Sequence, residues 1–153
     1  MKYQGTLISV ADMAKAKDFY VGIMEQEVVM DVGVHVAFKC GLALQQGYEE
    51  LVGEKLDPKT QPDNFQLYFE VEDLEKWETK LRAVKGIEFI HGKKEYPWGQ
   101  NVIRFYDRDK YIVEVSESMG SVVKRFIKQG MSVDDIAGRM GVPVETLKSF
   151  MPK

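Results

Sequence analysis

Cysteine, histidine and long apolar runs are all scarce in this chain of 153 residues. Cys40 is the only cysteine, which excludes an intrachain disulfide and a zinc site built on several thiolates. The residues after Met1 run into a short apolar stretch that Ser9 and Asp12 interrupt, so they lack the apolar core of a signal peptide and the length of a membrane span. The sequence therefore predicts a cytoplasmic protein with no membrane partner.

Net charge is also low. A formal charge of −3 excludes a whole-protein field that would drive binding to nucleic acid or to an anionic membrane. The charge is unevenly distributed, because residues 119–153 carry six basic and three acidic side chains. The length and the composition, 44% hydrophobic and 29% charged, are those of an ordinary globular protein.

The chain contains an internal repeat. One short β-branched and aromatic segment ends at Asp12, and a second one ends at Asp73, 61 positions later. Each Asp can cap the helix that follows it, whose apolar residues recur at helical spacing. Glycine or charged turn residues separate the three extended segments after each helix, which are predicted at 27–30, 35–38 and 42–46, and at 87–91, 101–106 and 111–116.

Each half therefore has the order β-α-β-β-β. A sheet of four strands with one helix leaves its other face uncovered, so two halves together can curl around a shared cavity. The predicted fold class is α+β, with two βαβββ modules that form a curled sheet around a cavity. A polar linker at 47–64, which contains Pro58 and Pro62, joins the modules. A plain α+β sandwich without a cavity is the alternative.

Three stretches resemble the vicinal-oxygen-chelate superfamily, which contains glyoxalases, bleomycin-resistance proteins and ring-cleaving dioxygenases. They are Val10–Met13 with Asp18–Tyr20, then Val36–Gln45, and above all Pro97–Glu114, which contains Trp-Gly and Asp-Arg-Asp-Lys and ends in Ile-Val-Glu. Arg108 and Lys110 stand where proline and glycine are usual in the family. The resemblance implies a domain at 1–117, with modules at about 1–47 and 64–117, followed by a helical tail at 119–153.

The resemblance also implies four metal-ligand positions, usually His or Gln on the first strand and Glu on the last strand of each half. In this sequence those positions hold Gly5, Gln45, Gln66 and Glu114. Gly5 has no side-chain donor, and two neutral amides with one carboxylate are poor ligands for a divalent Lewis acid. We therefore expect no cofactor, with a divalent metal disfavoured, and interpret His35 and His91 as ordinary strand residues.

Glu114 then has two possible roles. It is a candidate catalytic base if apolar walls surround it, or a ligand anchor that accepts hydrogen bonds from Gln45 and Gln66. Side chains that share the strand parity of the ligand positions, such as Tyr68, are candidate pocket walls. Phe38, Trp98 and Arg104 are further candidates without a parity argument, and a guanidinium in the cavity would select an anionic ligand. The candidate ligand-binding residues are Gln45, Gln66, Tyr68, Phe38, Trp98 and Arg104.

The tail after Glu117 is predicted to form three helices, at 121–130, 132–141 and 143–151. It resembles the helix-turn-helix of resolvases and regulators, in which the helix after the turn enters the major groove. That helix offers Glu145, Thr146, Lys148 and Ser149, with no Arg, Asn or Gln to read a base. The alternative is a helical extension that packs against itself, its own domain or a dimer partner.

Three functions remain open. The first is a metal-free protein that sequesters or senses a small organic molecule in its cavity, as the bleomycin-resistance resemblance implies. The second is a lyase or isomerase resembling lactoylglutathione lyase, with Glu114 as the base. The third is a ligand-responsive regulator that binds DNA through the tail. We expect a homodimer in each case.

Overall fold

The computed structural model describes residues 1–56 and 61–151. The chain divides into two compact units, of which the first contains residues 1–65 and 107–111 and the second contains 66–106 and the residues from 112 onward. Each unit has one four-stranded sheet. The α+β class, the two βαβββ modules and the helical tail are thus confirmed, whereas the shared cavity stays a prediction.

The first unit holds strands β1 (Thr6–Ser9), β2 (Val28–Asp31), β3 (His35–Phe38) and β4 (Leu42–Gln45) in the order β1-β4-β3-β2. Strand β1 runs parallel to β4, and the other pairs are antiparallel. Helix α1 (Met13–Lys17) begins where Asp12 Oδ1 accepts from Lys15 N at 3.1 Å, which confirms the predicted cap. It continues as a π-helix, Asp18–Ile23, which the helical spacing did not predict.

The core of the first unit lies between this helical segment and one face of the sheet. It includes apolar side chains that are less than 8% exposed, among them Ile8, Met13, Ala16, Phe19, Tyr20, Val36, Phe38, Leu42 and Leu44. Burial of this apolar surface is the main source of the unit's stability. The predicted linker at 47–64 is partly helical, because α2 (Tyr48–Val52) begins directly after β4. Pro58 of that linker lies outside the described residues.

The turn at 107–111 is tied to the first unit by side-chain hydrogen bonds. Tyr20 OH donates to Asp107 Oδ2 at 2.6 Å, and Tyr111 OH donates to the carbonyl of Ser9 at 2.9 Å. Asp109 Oδ1 accepts from the backbone N–H of Ala11 at 2.8 Å. Burial, followed by the charge of Asp107, raises the pKa of the Tyr20 phenol well above its ordinary value. The Tyr20–Asp107 contact is therefore a buried polar element of this unit.

The second unit holds strands β5 (Gln66–Val71), β6 (Glu88–Glu95), β7 (Asn101–Tyr106) and β8 (Ile112–Glu117) in the order β5-β8-β7-β6. Helix α3 (Leu74–Ala83) is capped by Asp73 Oδ1, which accepts from Lys76 N at 2.9 Å. Strand β6 is longer than predicted. It continues past residue 91, where the sequence predicted its end, because two register shifts against β7 absorb the irregularity without ending the pairing.

Alternation along these strands separates an apolar face from a polar one. The apolar face carries Ile103, Phe105, Val113 and Val115, and none of the four is measurably exposed. On the opposite face, the pairing register aligns Tyr68 with Glu114, Glu114 with Arg104 and Arg104 with His91. We call this opposite face, which carries the row Tyr68, Glu114, Arg104 and His91, the polar face of the second unit.

The tail forms three helices, α4 (Met119–Lys128), α5 (Val133–Met140) and α6 (Val144–Phe150), as predicted. Ser118 and Ser132 cap the first two, each accepting from a backbone N–H at 3.2 Å. The helices enclose a small core of their own: Val122, Val123, Phe126, Ile136, Ala137, Met140 and Leu147. The tail also belongs to the same compact unit as the second sheet. None of the helices in the described ranges has the length and apolar character to cross a membrane.

Candidate functional site

Glu114 lies at the centre of the polar face and is only 5% exposed. Its Oε2 accepts from Gln66 Nε2 at 2.8 Å and forms an ion pair with Arg104 Nη2. Its Oε1 accepts from Ser116 Oγ at 2.9 Å. Three protein donors therefore already contact the carboxylate that the sequence proposed as a base or a ligand anchor.

Arg104 uses all three of its guanidinium nitrogens within the same cluster. Nε donates to Gln66 Oε1 at 3.1 Å, and Nη2 forms the ion pair with Glu114. Nη1 donates to Tyr96 OH and lies 3.2 Å from His91 Nε2. The planar, permanently charged guanidinium thus links both of the second unit's predicted metal-ligand positions, Gln66 and Glu114.

His91 is held in one tautomer by its neighbours. Its Nδ1 lies 2.8 Å from the carbonyl oxygen of Gly92, which can only accept, so Nδ1 carries the proton. Its Nε2 is then the acceptor that faces Arg104 Nη1, which can only donate. Interpreting His91 as an ordinary strand residue overlooked this contact, and Tyr96 was not a candidate at all. Alternation along the sequence could not reveal these two residues, because the register shifts in strand β6 interrupt the regular period of two residues.

Tyr68 and Trp98 are aromatic groups beside this cluster, and they remain 50% and 37% exposed. Tyr68 OH donates to Glu70 Oε1 at 2.5 Å and accepts from Gln100 Nε2 at 3.3 Å. Desolvation, with the hydrogen bond to Glu70 as a smaller cause, raises the pKa of Tyr68 to about 12. Trp98 Nε1 donates to Gln100 Oε1 at 3.0 Å. Buried Gln100, which the sequence did not single out, therefore links the two aromatic candidates.

Gln45 lies in the first unit and is 4% exposed. Its Oε1 accepts from His35 Nδ1 at 3.0 Å, and its Nε2 donates to the carbonyl of Gln46 at 2.8 Å. His35 thus contacts the candidate ligand-binding residue Gln45, as His91 contacts the candidate Arg104 in the other unit. An open pocket of about 410 Å³ lies here, lined by Val34, Gln45, Gln46, Gly47, Glu50 and Leu51.

Gly5 is a site of close backbone approach. A Cβ atom on this residue would overlap the carbonyl oxygen of Gly41, which also accepts from Thr6 N at 2.9 Å. No side chain fits at this metal-ligand position unless the backbone shifts. The close approach of Gly41 therefore leaves no room for a side-chain donor at this position.

Phe38 is a core residue of the first unit, although the sequence placed it among the ligand-binding candidates. It is buried on the face that packs against the helix, and its ring lies 5.9 Å from that of Tyr20. The strand parity that governs facing places Phe38 with Val36, and not with Gln45.

The residues at the four predicted metal positions do not fit a catalytic divalent ion. Gly5 has no donor, Gln45 is engaged by His35, and the only carboxylate is already paired with a cation, Arg104. Among the residues that the structure describes, no group of three or more His, Cys, Asp or Glu side chains is arranged to hold a metal. Catalytic first-row divalent ions are bound mainly through anionic or imidazole ligands.

Comparison with known proteins agrees with this fold. The Glyoxalase-like domain family matches residues 3–120, and the chain belongs to this family. Similar solved structures include a protein of unknown function from Agrobacterium tumefaciens str. C58, which is 30% identical with a TM-score of 0.71, covering 77% of this chain and 94% of that one. No functionally curated protein matches the chain.

Two further similar structures have descriptive names. A lactoylglutathione lyase from Agrobacterium tumefaciens is 25% identical with a TM-score of 0.59, covering 74% of this chain and 91% of that one. A member of the glyoxalase/bleomycin resistance protein/dioxygenase superfamily from Sphaerobacter thermophilus is 21% identical with a TM-score of 0.59, covering 76% and 97%. The second comparison concerns the fold alone. The family match and the similarity to the lactoylglutathione lyase structure support membership of the vicinal-oxygen-chelate superfamily, which the motifs predicted.

Proposed function

We propose that this protein binds a small organic molecule on the polar face of its second unit, without a catalytic metal ion, and thereby sequesters or senses that molecule. The observation that carries the proposal is the position of Arg104. Its guanidinium contacts both Gln66 and Glu114, so a cation of the protein itself already neutralises the carboxylate that a metal would need. Fold membership alone leaves function open.

The same contact revises the kind of ligand that we expect. Arg104 alone would select an anion, but its charge is compensated by Glu114. The exposed rings of Tyr68 and Trp98 and the amides around them favour an uncharged molecule that stacks and forms hydrogen bonds.

Metal analysis tests the proposal directly. Protein dialysed against a chelator and then against buffer containing Ni, Zn, Fe or Mn is expected to retain far less than one ion per chain. Stoichiometric metal that is lost in Glu114→Gln and Gln66→Ala would overturn the metal-free assignment. A thermal-shift screen of uncharged aromatic compounds should find a stabilising compound whose effect disappears in Tyr68→Ala.

A lyase or isomerase is the second candidate, and the 25% identity to a lactoylglutathione lyase favours it. Glu114 would be the base, although Gln66, Ser116 and Arg104 all contact its carboxylate. We expect no lactoylglutathione turnover above background. Turnover that is lost in Glu114→Gln would support this candidate over ligand binding.

A DNA-binding regulator is the third candidate, through the helix-turn-helix-like tail. The order of α5, turn and α6 favours it, but the tail's charge does not. Arg125 and Arg139 pair with Glu95, and Lys148 pairs with Glu145, so few of the tail's basic groups remain for phosphates. Lys153, counted among those groups, lies outside the described residues. Salt-dependent DNA retention that weakens in Lys124→Glu with Lys128→Glu would support this function.

A further inference from the structure

Helix α4 of the tail contacts the turn formed by Tyr96–Gln100, which we call the Trp98 turn. Two backbone hydrogen bonds close this turn, Gly99 N to Tyr96 O at 2.7 Å and Tyr96 N to Gln100 O at 2.9 Å. Phe126 of α4 lies so close to Gly99 that a Cβ atom there would overlap its ring. Gly99 is therefore the point at which the turn and the tail pack together.

Arg125, the neighbour of Phe126, holds the same turn by polar contacts. Its Nη2 donates to the carbonyl of Gly99 and lies 3.0 Å from Glu117 Oε2. Glu117 Oε2 in turn accepts from the backbone and side-chain nitrogens of Asn101, at 2.9 and 3.0 Å. One guanidinium therefore joins the turn to the end of strand β8.

The Trp98 turn presents its side chains to the polar face. Gln100 is 5% exposed and donates through Nε2 to the carbonyl of Glu117 at 2.8 Å and to Tyr68 OH at 3.3 Å. The rings of Tyr96 and Trp98 have centroids 4.8 Å apart, and Tyr96 OH accepts from Arg104. A series of contacts therefore runs from helix α4 through the Trp98 turn to Tyr68 and to the Arg104–Glu114 ion pair.

We propose that Arg125 and Phe126 are positioning residues of the ligand site, which makes the C-terminal extension part of that site. The tail holds the Trp98 turn in the conformation that presents Trp98 and Gln100 beside Tyr68. This assignment rests on the proposed function, because it concerns the face to which that function assigns the ligand. Coupling of this kind is reciprocal, so a molecule on the polar face also affects how firmly the tail is held.

The variant Arg125→Gln tests the positioning role. Phe126 is less suitable, because it also belongs to the tail's own core and its truncation would disrupt the helices. Trp77→Phe provides the background, since Trp77 and Trp98 are the only tryptophans and Trp98 then supplies the single indole signal. The measurements are the Trp98 indole N–H resonance in a nitrogen-15 correlation spectrum and the quenching of Trp98 fluorescence by acrylamide.

We expect Arg125→Gln to shift the Trp98 indole resonance and to increase its quenching, while the helical content measured by circular dichroism is retained. Arg125→Lys should restore the signals only in part, because one ammonium cannot reproduce the contacts of a guanidinium fork. Lys124→Gln is the matched control, since it removes a neighbouring charge of α4 that pairs with exposed Glu72 at 3.8 Å. Its spectrum should match that of the background protein.

A second variant tests the contact from the other side. Gly99→Ala places a methyl group against the Phe126 ring at a residue whose φ is +87°, and should displace the turn while leaving every tail residue unchanged. Unchanged Trp98 signals in folded Arg125→Gln would overturn the proposal whatever Gly99→Ala shows, because a side chain at this positive φ strains the turn even without Phe126. Because no ligand is needed for these measurements, their outcome is independent of whether the polar face binds an organic molecule.

Discussion

Arg104 and Glu114 form an ion pair across neighbouring strands β7 and β8, with side chains that are 20% and 7% exposed. The pair contains Glu114, one of the four metal-ligand positions that the family resemblance implies. Each partner also has further contacts, Arg104 with Tyr96 and His91, and Glu114 with Gln66 and Ser116. Within this group of side chains, the positive charge of Arg104 compensates the negative charge of Glu114.

Removing one partner of this pair should be costly. Arg104→Ala leaves a largely buried carboxylate without its cation, and we expect a loss of about 3–5 kcal/mol in the free energy of unfolding. Lys148→Ala is the control, because its pair with Glu145 lies within one helix turn, has side chains that are 56% and 83% exposed, and is worth about 1 kcal/mol or less. Urea denaturation of both variants measures the difference, and equal losses would contradict the structural role of the Arg104 pair.

Gly5, one of the predicted metal-ligand positions, should not accept a side chain. Gly5→Ala is expected to cost about 1–3 kcal/mol of unfolding free energy, because its methyl group overlaps Gly41 O and the backbone must shift. Gly138→Ala is the control, since a Cβ atom on helical Gly138 meets nothing within 4 Å and should be stabilising. Thermal unfolding compares them, and a neutral Gly5→Ala would remove the steric explanation for the missing donor.

Stability should decline at alkaline pH because of Tyr20. The pKa of Tyr20 is raised in the folded protein by burial and by Asp107, relative to a value of 10.0 when unperturbed. The contribution of Tyr20 is therefore fully present below pH 10.0 and is lost as the pH rises towards the folded-state pKa, because only the unfolded chain releases the proton in that interval.

Tyr20→Phe tests this linkage. The substitution should cost about 1–3 kcal/mol at neutral pH, because Asp107 loses a buried donor, and should flatten the decline above pH 10.0. Urea unfolding at a series of pH values measures both effects. An alkaline decline that is as steep in the variant as in the parent would assign it to other groups.

The predicted homodimer has a candidate surface at strand β2. This strand lies at the edge of the first sheet, and its residues Val28, Val29 and Met30 are exposed together with Val32 and Val34. Unpaired edge strands with exposed apolar side chains favour pairing with another chain. Val29→Lys should convert a dimer to a monomer in light scattering coupled to size exclusion. Val133→Lys, on the tail, should leave the mass unchanged.

The candidate site was only partly predictable. Gln66 and Glu114 were named from motif alignment and Tyr68 from strand parity, whereas Arg104 was a further candidate whose facing the sequence left open. The register places Tyr68, Glu114 and Arg104 in one row. His91 and Tyr96 also contact Arg104. Their positions depend on the register shifts of strand β6 and on the Trp98 turn that follows it. Phe38 is buried on the helix-facing side of its strand, and its assignment to the ligand site stays a prediction.

The amino-acid sequence by itself determined the repeat, the caps at Asp12 and Asp73, the three tail helices and the family, because these depend on short-range periodicity, local hydrogen bonds and motifs. It also showed that the predicted metal-ligand position at residue 5 is a glycine, which has no side chain that could bind a metal. Only the tertiary structure decided that Arg104 neutralises Glu114 and that Arg125 and Arg139 of the tail pair with acidic residues of the second sheet. These contacts join residues from different strands and helices, and their geometry depends on strand register and packing, which local sequence does not specify.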